Sequence, residues 1–259
     1  MKSILLVGIL TISAPLYAQE SIPVGTVLPV QLETSLSNKS EAGQIIRARL
    51  MQDVPLGNGE KVRAGAKVAG QVLKVTPASA GTNMTISFKF DHLIISGRTV
   101  PITTDIRGLA STLEVDEAQL PDTGPDRGTP STAYTTVQVG GDEVVYRGGG
   151  HVYNASDVLV GEPVPPDGVL ARVRSNLVGA CRGQVNANEP PQALWVFSSD
   201  ACGVYGYANV KILDSGRNAP LGQIVLGADG GKLNIRSGSG MLLRVVASSQ
   251  PGAQIPRRS

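Results

Sequence analysis

The chain has 259 residues, 41% of them hydrophobic and 17% charged, with 31 Gly and 17 Pro. A mean hydropathy of +0.05 supplies enough apolar material for a buried core and excludes wholesale disorder. The 23 basic and 21 acidic residues leave a formal charge of +2, which argues against a nucleic-acid partner held by bulk charge. Two His and two Cys leave little material for a metal cluster, and no cofactor is expected.

Residues 1–18 read as a secretory signal peptide. Lys2 gives the positive start, residues 4–16 are largely apolar, and Leu16-Tyr17-Ala18 before Gln19 fits a cleavage site. The apolar run falls short of the roughly 20 residues of a spanning helix, and no later stretch reaches that length. No transmembrane span is therefore expected after cleavage, and the expected location is the bacterial periplasm or outside the cell. In that oxidising setting the only two cysteines, Cys181 and Cys202, are expected to form one disulfide. Closing a loop of about 20 residues is worth roughly 3 kcal/mol in the chain-entropy account.

Residues 19–110 alternate with the two-residue period of strands. Leu28, Val30 and Leu32 share one face. Ile46, Ala48 and Leu50 oppose Arg47 and Arg49, and Met84, Ile86, Phe88 and Phe90 oppose Thr85, Ser87, Lys89 and Asp91. Val100, Ile102, Thr104 and Ile106 continue the pattern, and Ser96-Gly97 predicts a tight hairpin. Residues 22–32 and 62–72 align as a weak repeat in which Gly25 and Gly65 coincide, as do Gln31 and Gln71; each copy reads as a glycine turn feeding a strand.

Residues 111–132, with Pro121, Gly124, Pro125, Gly128 and Pro130, read as a linker or long loop. Residues 133–247 read as a second, Gly-rich β domain. It carries a hairpin around Gly140-Gly141-Asp142, irregular backbone at residues 147–151, a loop over residues 161–168, and later strands near 210–213, 224–226, 233–235 and 241–246. Residues 248–259 read as a flexible tail, and no amphipathic helix is expected beyond the signal. The expected class is all-β: a small β-barrel followed by a sandwich or barrel-like domain.

The segment Ile22-Pro23-Val24-Gly25-Thr26, running into Val27 to Leu36, resembles the opening of the periplasmic β-barrel domain of the TrbI/VirB10-like family, a component of type IV secretion systems. Residues 44–54 and the second glycine turn at 62–72 extend the likeness over about the first third of the chain. The resemblance implies a barrel for that part. Members of that family carry an uncleaved membrane helix and a Pro-rich spacer ahead of the domain, whereas a cleavable signal precedes it here.

Several motifs bear on chemistry. Asp122-Thr123-Gly124 and Asp214-Ser215-Gly216 are the D-[ST]-G pair that a two-lobed acid protease would need. Asp, Ser, Thr and Gly are equally turn residues, and Leu120-Pro121 and Arg217 suit turns better. His151 beside Arg147-Gly148-Gly149-Gly150 could serve as a base or sit at an anion nest, but neither a triad partner nor a helix follows. Asp200, Asp214 and Asp229 lack the spacing of a calcium loop. Trp195, Tyr205 and Tyr207 could stack on a sugar, or pack beside Cys202 as core. No catalytic, cofactor or metal residue is assigned; Arg147, His151 and Trp195 remain candidates for a binding surface. The expected function is a non-catalytic cell-envelope protein with a structural or adaptor role toward envelope proteins or polymer. The alternative is an extracytoplasmic hydrolase or carbohydrate-binding module.

Overall fold

The computed structural model describes residues 22–56, 60–79, 82–119, 134–137, 139, 143–147, 151–154, 159–164, 168–171, 192–193, 195–197 and 201–247; in the strands between 134 and 193 only the backbone is described. The expected signal peptide, Asp122, Cys181 and the tail lie outside these residues.

The chain first forms β1 (Val27–Leu32), β2 (Leu36–Ser37), β3 (Ile45–Leu50), β4 (Val54–Pro55), β5 (Lys61–Val62), β6 (Lys67–Thr76), β7 (Met84–Ile95), β8 (Arg98–Pro101) and β9 (Thr103–Ala110). The helix α1 (Thr112–Gln119) follows, and then β10 (Tyr134–Val137), β11 (Glu143–Arg147), β12 (His151–Asn154), β13 (Leu159–Val164), β14 (Gly168–Ala171) and β15 (Gln192–Ala193). The last strands are β16 (Gly203–Tyr205), β17 (Val210–Asp214), β18 (Ile224–Ala228), β19 (Asn234–Ile235) and β20 (Gly240–Ala247). The protein is all-β, as its alternation predicts, with one α-helix among the described residues.

A ten-stranded sheet runs β16-β9-β20-β1-β3-β6-β7-β18-β17, with β8 added to β7. Its strands come from both halves of the described chain. β20 lies between β9 and β1, pairing Val27 with Arg244 and Pro29 with Leu242, and β18 pairs with β7. The expected division at residues 111–132 therefore does not describe this sheet, because residues 203–247 complete it. Sequence periodicity fixes which face of a strand is apolar; it does not say which strand lies next to it.

The sheet rolls toward itself. Although β7 and β9 stand far apart in the strand order, Thr104 Oγ1 donates to the Phe90 carbonyl at 3.2 Å. The Ile106 amide donates to the Ser215 carbonyl at 2.9 Å, just past the last strand of the order. One apolar core unites Leu28, Ile46, Phe88, Ile106, Leu226 and Leu243. No ladder among the described residues closes the roll into the expected barrel. An ionic cluster spans the approach instead. Buried Asp105 accepts from Arg217 Nε at 2.6 Å and from Arg244 Nε at 3.2 Å, and Arg244 Nη2 meets its other oxygen.

Five turns share one construction. The amides of Thr26, Gln44, Ala66, Gln223 and Ser239 donate to the carbonyls of Pro23, Glu41, Arg63, Pro220 and Arg236 at 3.1–3.2 Å. The third residue of each is a glycine at φ between +82° and +94°, as a type II turn requires. Each turn ends on the residue immediately before a strand, β1, β3, β6, β18 and β20 in chain order. The repeat at Gly25 and Gly65 is thus a turn-and-strand unit used five times. The Ser96-Gly97 hairpin also forms, with both residues at positive φ between β7 and β8.

Two local readings change. Residues 112–119 are helical where a loop is expected: Ser111 caps the helix, its Oγ accepting from the Glu114 amide at 3.3 Å and its carbonyl from Val115. Val115 is the only buried residue of α1, so no apolar stripe marks the helix in the sequence. In the second sheet, an antiparallel meander in the order β10 to β15, β13 runs through Pro163 into the expected loop at 161–168. Pro163 pairs with Val169 of β14 and lies past the residues that β12 pairs, at an edge position of the kind that proline takes in sheets.

Candidate functional site

The meander is built from a chain segment that leaves and re-enters the ten-stranded sheet at neighbouring points. The chain departs after Ala110 of β9 and returns as β16, which runs parallel to β9 with Gly203 opposite Gly108 and Tyr205 opposite Ala110. A second apolar core holds this root down on the outer face of the sheet. It joins Val27, Ala110 and Leu242 to Val115 of α1 and to Val139, Trp195, Val196 and Phe197 of the returning segment. The Val139 amide donates to the Val196 carbonyl at 2.9 Å. Gly240 makes the room: a Cβ there would lie 3.2 Å from each of the Trp195 and Phe197 rings and 3.0 Å from Val115. This core buries the outer as well as the inner face of β1.

The residues singled out in the sequence fall as follows. Trp195 is 2% exposed, a core side chain and not a face for sugar stacking, which corrects its candidacy for a binding surface. Asp214 Oδ1 accepts from the Gly216 amide at 2.8 Å and so closes its own turn. Arg147 and His151 stand opposite one another in the register of β11 and β12; their side chains lie outside the described set. Cys202 has no free thiol, and the Tyr205 hydroxyl clamps its backbone, accepting from its amide at 2.8 Å and donating to its carbonyl at 3.0 Å. Asp229 is committed to Lys211 at 2.6 Å and to Asn83 at 2.8 Å. Among the described residues no three His, Cys, Asp or Glu side chains gather at metal-binding distance.

A polar cleft of about 280 Å3 opens at the root itself. Ser111, Thr112 and Leu113, where the segment leaves, form one wall. Gly206 and Tyr207, just past its return, and Asn234 and Arg236 around β19 form the others. The Tyr207 hydroxyl shares a 2.7 Å hydrogen bond with buried Ser239. Burial raises the Tyr207 phenol above its ordinary pKa, while the Ser239 bond and the nearby Arg236 charge offset part of that rise. The aromatic ring is therefore a neutral hydrogen-bonding group at physiological pH. Leu113 stands 63% exposed on the lip. Of these residues only Tyr207 is singled out by the sequence, as a possible sugar-stacking ring; Ser111 and Arg236 are 125 positions apart and share no motif that would tie the lining together.

No family model matches this chain, and no curated protein matches it.

Proposed function

We propose that this chain is an exported, non-catalytic cell-envelope protein with an adaptor role, in which the rolled sheet is a scaffold and residues 111–202 are the module it presents to envelope proteins or polymer. One observation carries the reading: the segment leaves and returns on adjacent parallel strands and is anchored by an apolar core of its own. A root built this way holds a module in fixed orientation on a scaffold that folds around it. A Cys181–Cys202 disulfide would tie the same root, and Cys202, without a free thiol beside Tyr205, supports that pairing. The TrbI/VirB10-like resemblance at residues 22–36 fits a turn feeding the first scaffold strand, and the periplasm or the cell exterior remains the proposed location. The acid-protease and sugar-stacking alternatives are not favoured, because Asp214 is spent on its turn and Trp195 is buried.

The test compares the full chain with a variant in which a short Gly/Ser linker joins residue 119 to residue 201. Each is immobilised and exposed to solubilised envelope extract. The adaptor reading expects a partner retained by the full chain and lost by the variant, while the variant still unfolds cooperatively. Equal retention by both, or turnover of an envelope polymer by the full chain, would contradict it.

A further inference from the structure

We propose that the cleft at the root of the inserted segment binds a small carboxylate, with Arg236 as its recognition group. The exposed Arg236 guanidinium has no carboxylate partner among the described residues, and none of the lining residues is acidic; the nearby acid is Glu114, whose stem packs beside Gly206 at the edge of the cleft. Four further polar residues line it, Thr112, Ser111, Tyr207 and Asn234; the Ser111 hydroxyl also caps the Glu114 amide and the Tyr207 phenol also bonds Ser239. A lining of one cation and neutral hydrogen-bonding groups complements a single negative charge. A guanidinium presents two parallel N–H groups that match the two oxygens of a carboxylate. A phosphate dianion would leave one charge without a counterpart in a site holding one cation. The volume, about 280 Å3, lies at the small end of ligand sites and suits one amino-acid-sized or sugar-acid-sized group. Exposed Leu113 on the lip adds an apolar contact for whatever carries the carboxylate.

Two sources offer this chemistry, the C-terminal residue of a peptide and an acidic sugar, and the experiment separates them. The full chain, nitrogen-labelled, is titrated with N-acetyl-leucine and with glucuronate, and with the neutral amide of each. The backbone amide shifts of Leu113, Gly206 and Arg236 are followed by NMR. The proposal expects at least one acid to move these three amides saturably while its neutral amide does not. N-acetyl-leucine alone would indicate a peptide terminus, and glucuronate alone an acidic sugar. The R236Q variant, altered at an exposed position so that its unfolding midpoint stays put, should bind that acid about tenfold more weakly or worse. The proposal is overturned if neither acid moves these amides, if acid and amide bind alike, or if R236Q binds as well as the parent. None of these readings depends on a protein partner, so the cleft can fail while the adaptor role stands, and the reverse.

Discussion

Alanine at Gly70 tests the closest approach in the rolled sheet. A Cβ on Gly70 would lie 1.8 Å from the Lys89 carbonyl oxygen, 2.7 Å from its carbonyl carbon and 2.8 Å from Phe90 Cα. All three are backbone atoms of β7, so no rotamer change relieves the clash. A normal C···O approach is about 3.3 Å, and the strands must part by about 1.5 Å to reach it. Inter-strand hydrogen bonds near 2.9 Å do not survive that separation. Two lost ladder bonds at about 1 kcal/mol each, added to an overpacking cost of about 1–3 kcal/mol, bring the destabilisation to roughly 3–5 kcal/mol. For a chain of this size that lowers Tm by roughly 6–20 °C. Gly25 and Gly65 supply the control. Nothing lies within 4 Å of a Cβ at either, but both sit at positive φ, and alanine there costs about 1–2 kcal/mol of backbone strain. Thermal unfolding followed by circular dichroism ranks the three variants. If Gly70→Ala costs no more than Gly25→Ala, the proposed clash between β6 and β7 is wrong.

Asp105→Asn leaves Arg217 and Arg244 facing a neutral amide where the fully buried carboxylate stood; about 3–5 kcal/mol of stability should be lost in urea unfolding, and a loss below 1 kcal/mol would mean the cluster does not hold the roll. Gly240→Leu should force Trp195 and Phe197 off the outer face. Trp195 is the only tryptophan and is buried, so its fluorescence should shift to the red in the folded protein, and unchanged emission would contradict the packing. The Lys61 ammonium at 2.5 Å, with the Ala64 amide, holds the Asp53 carboxyl below the usual carboxylate range. Because the folded pKa is depressed, the stabilisation is complete above the unfolded value of about 3.9 and is lost as pH falls through the folded value beneath it. Both groups are solvated, so the effect is at most about 1 kcal/mol; Asp53→Asn should flatten that part of the stability profile, and an unaltered profile would reject the assignment.

The strands were legible wherever one face is wet. Ile46, Ala48 and Leu50 face the core and Arg47 and Arg49 face solvent, as alternation predicts. What stayed hidden depends on contacts between distant residues. No local pattern announces that β20 inserts between β9 and β1, since Leu242 would look the same beside any strand. α1 escaped notice because a single buried side chain, Val115, anchors it. The five glycine turns share a backbone shape and little else: Pro23, Glu41 and Arg236 open them with unlike side chains, so only the turns at Gly25 and Gly65 resemble one another in sequence. Trp195 could be read as core or surface until Gly240 and Gly108 supplied the space that its neighbourhood needs. The cleft joins residues on both sides of the inserted segment and has no linear signature at all.

The two ends of the described chain build one sheet around an inserted segment. The Pro29 carbonyl accepts from Met51 of the β3 side, so toward β20 the pairs Val27–Arg244 and Pro29–Leu242 are non-hydrogen-bonded, with Cα atoms about 4.5 Å apart. Hα–Hα nuclear Overhauser effects measured on the labelled full chain report these pairs directly. The account predicts strong cross-peaks between Val27 and Arg244 and between Pro29 and Leu242. Their absence, with residues 27–32 showing no cross-peak to residues 240–247, would contradict it.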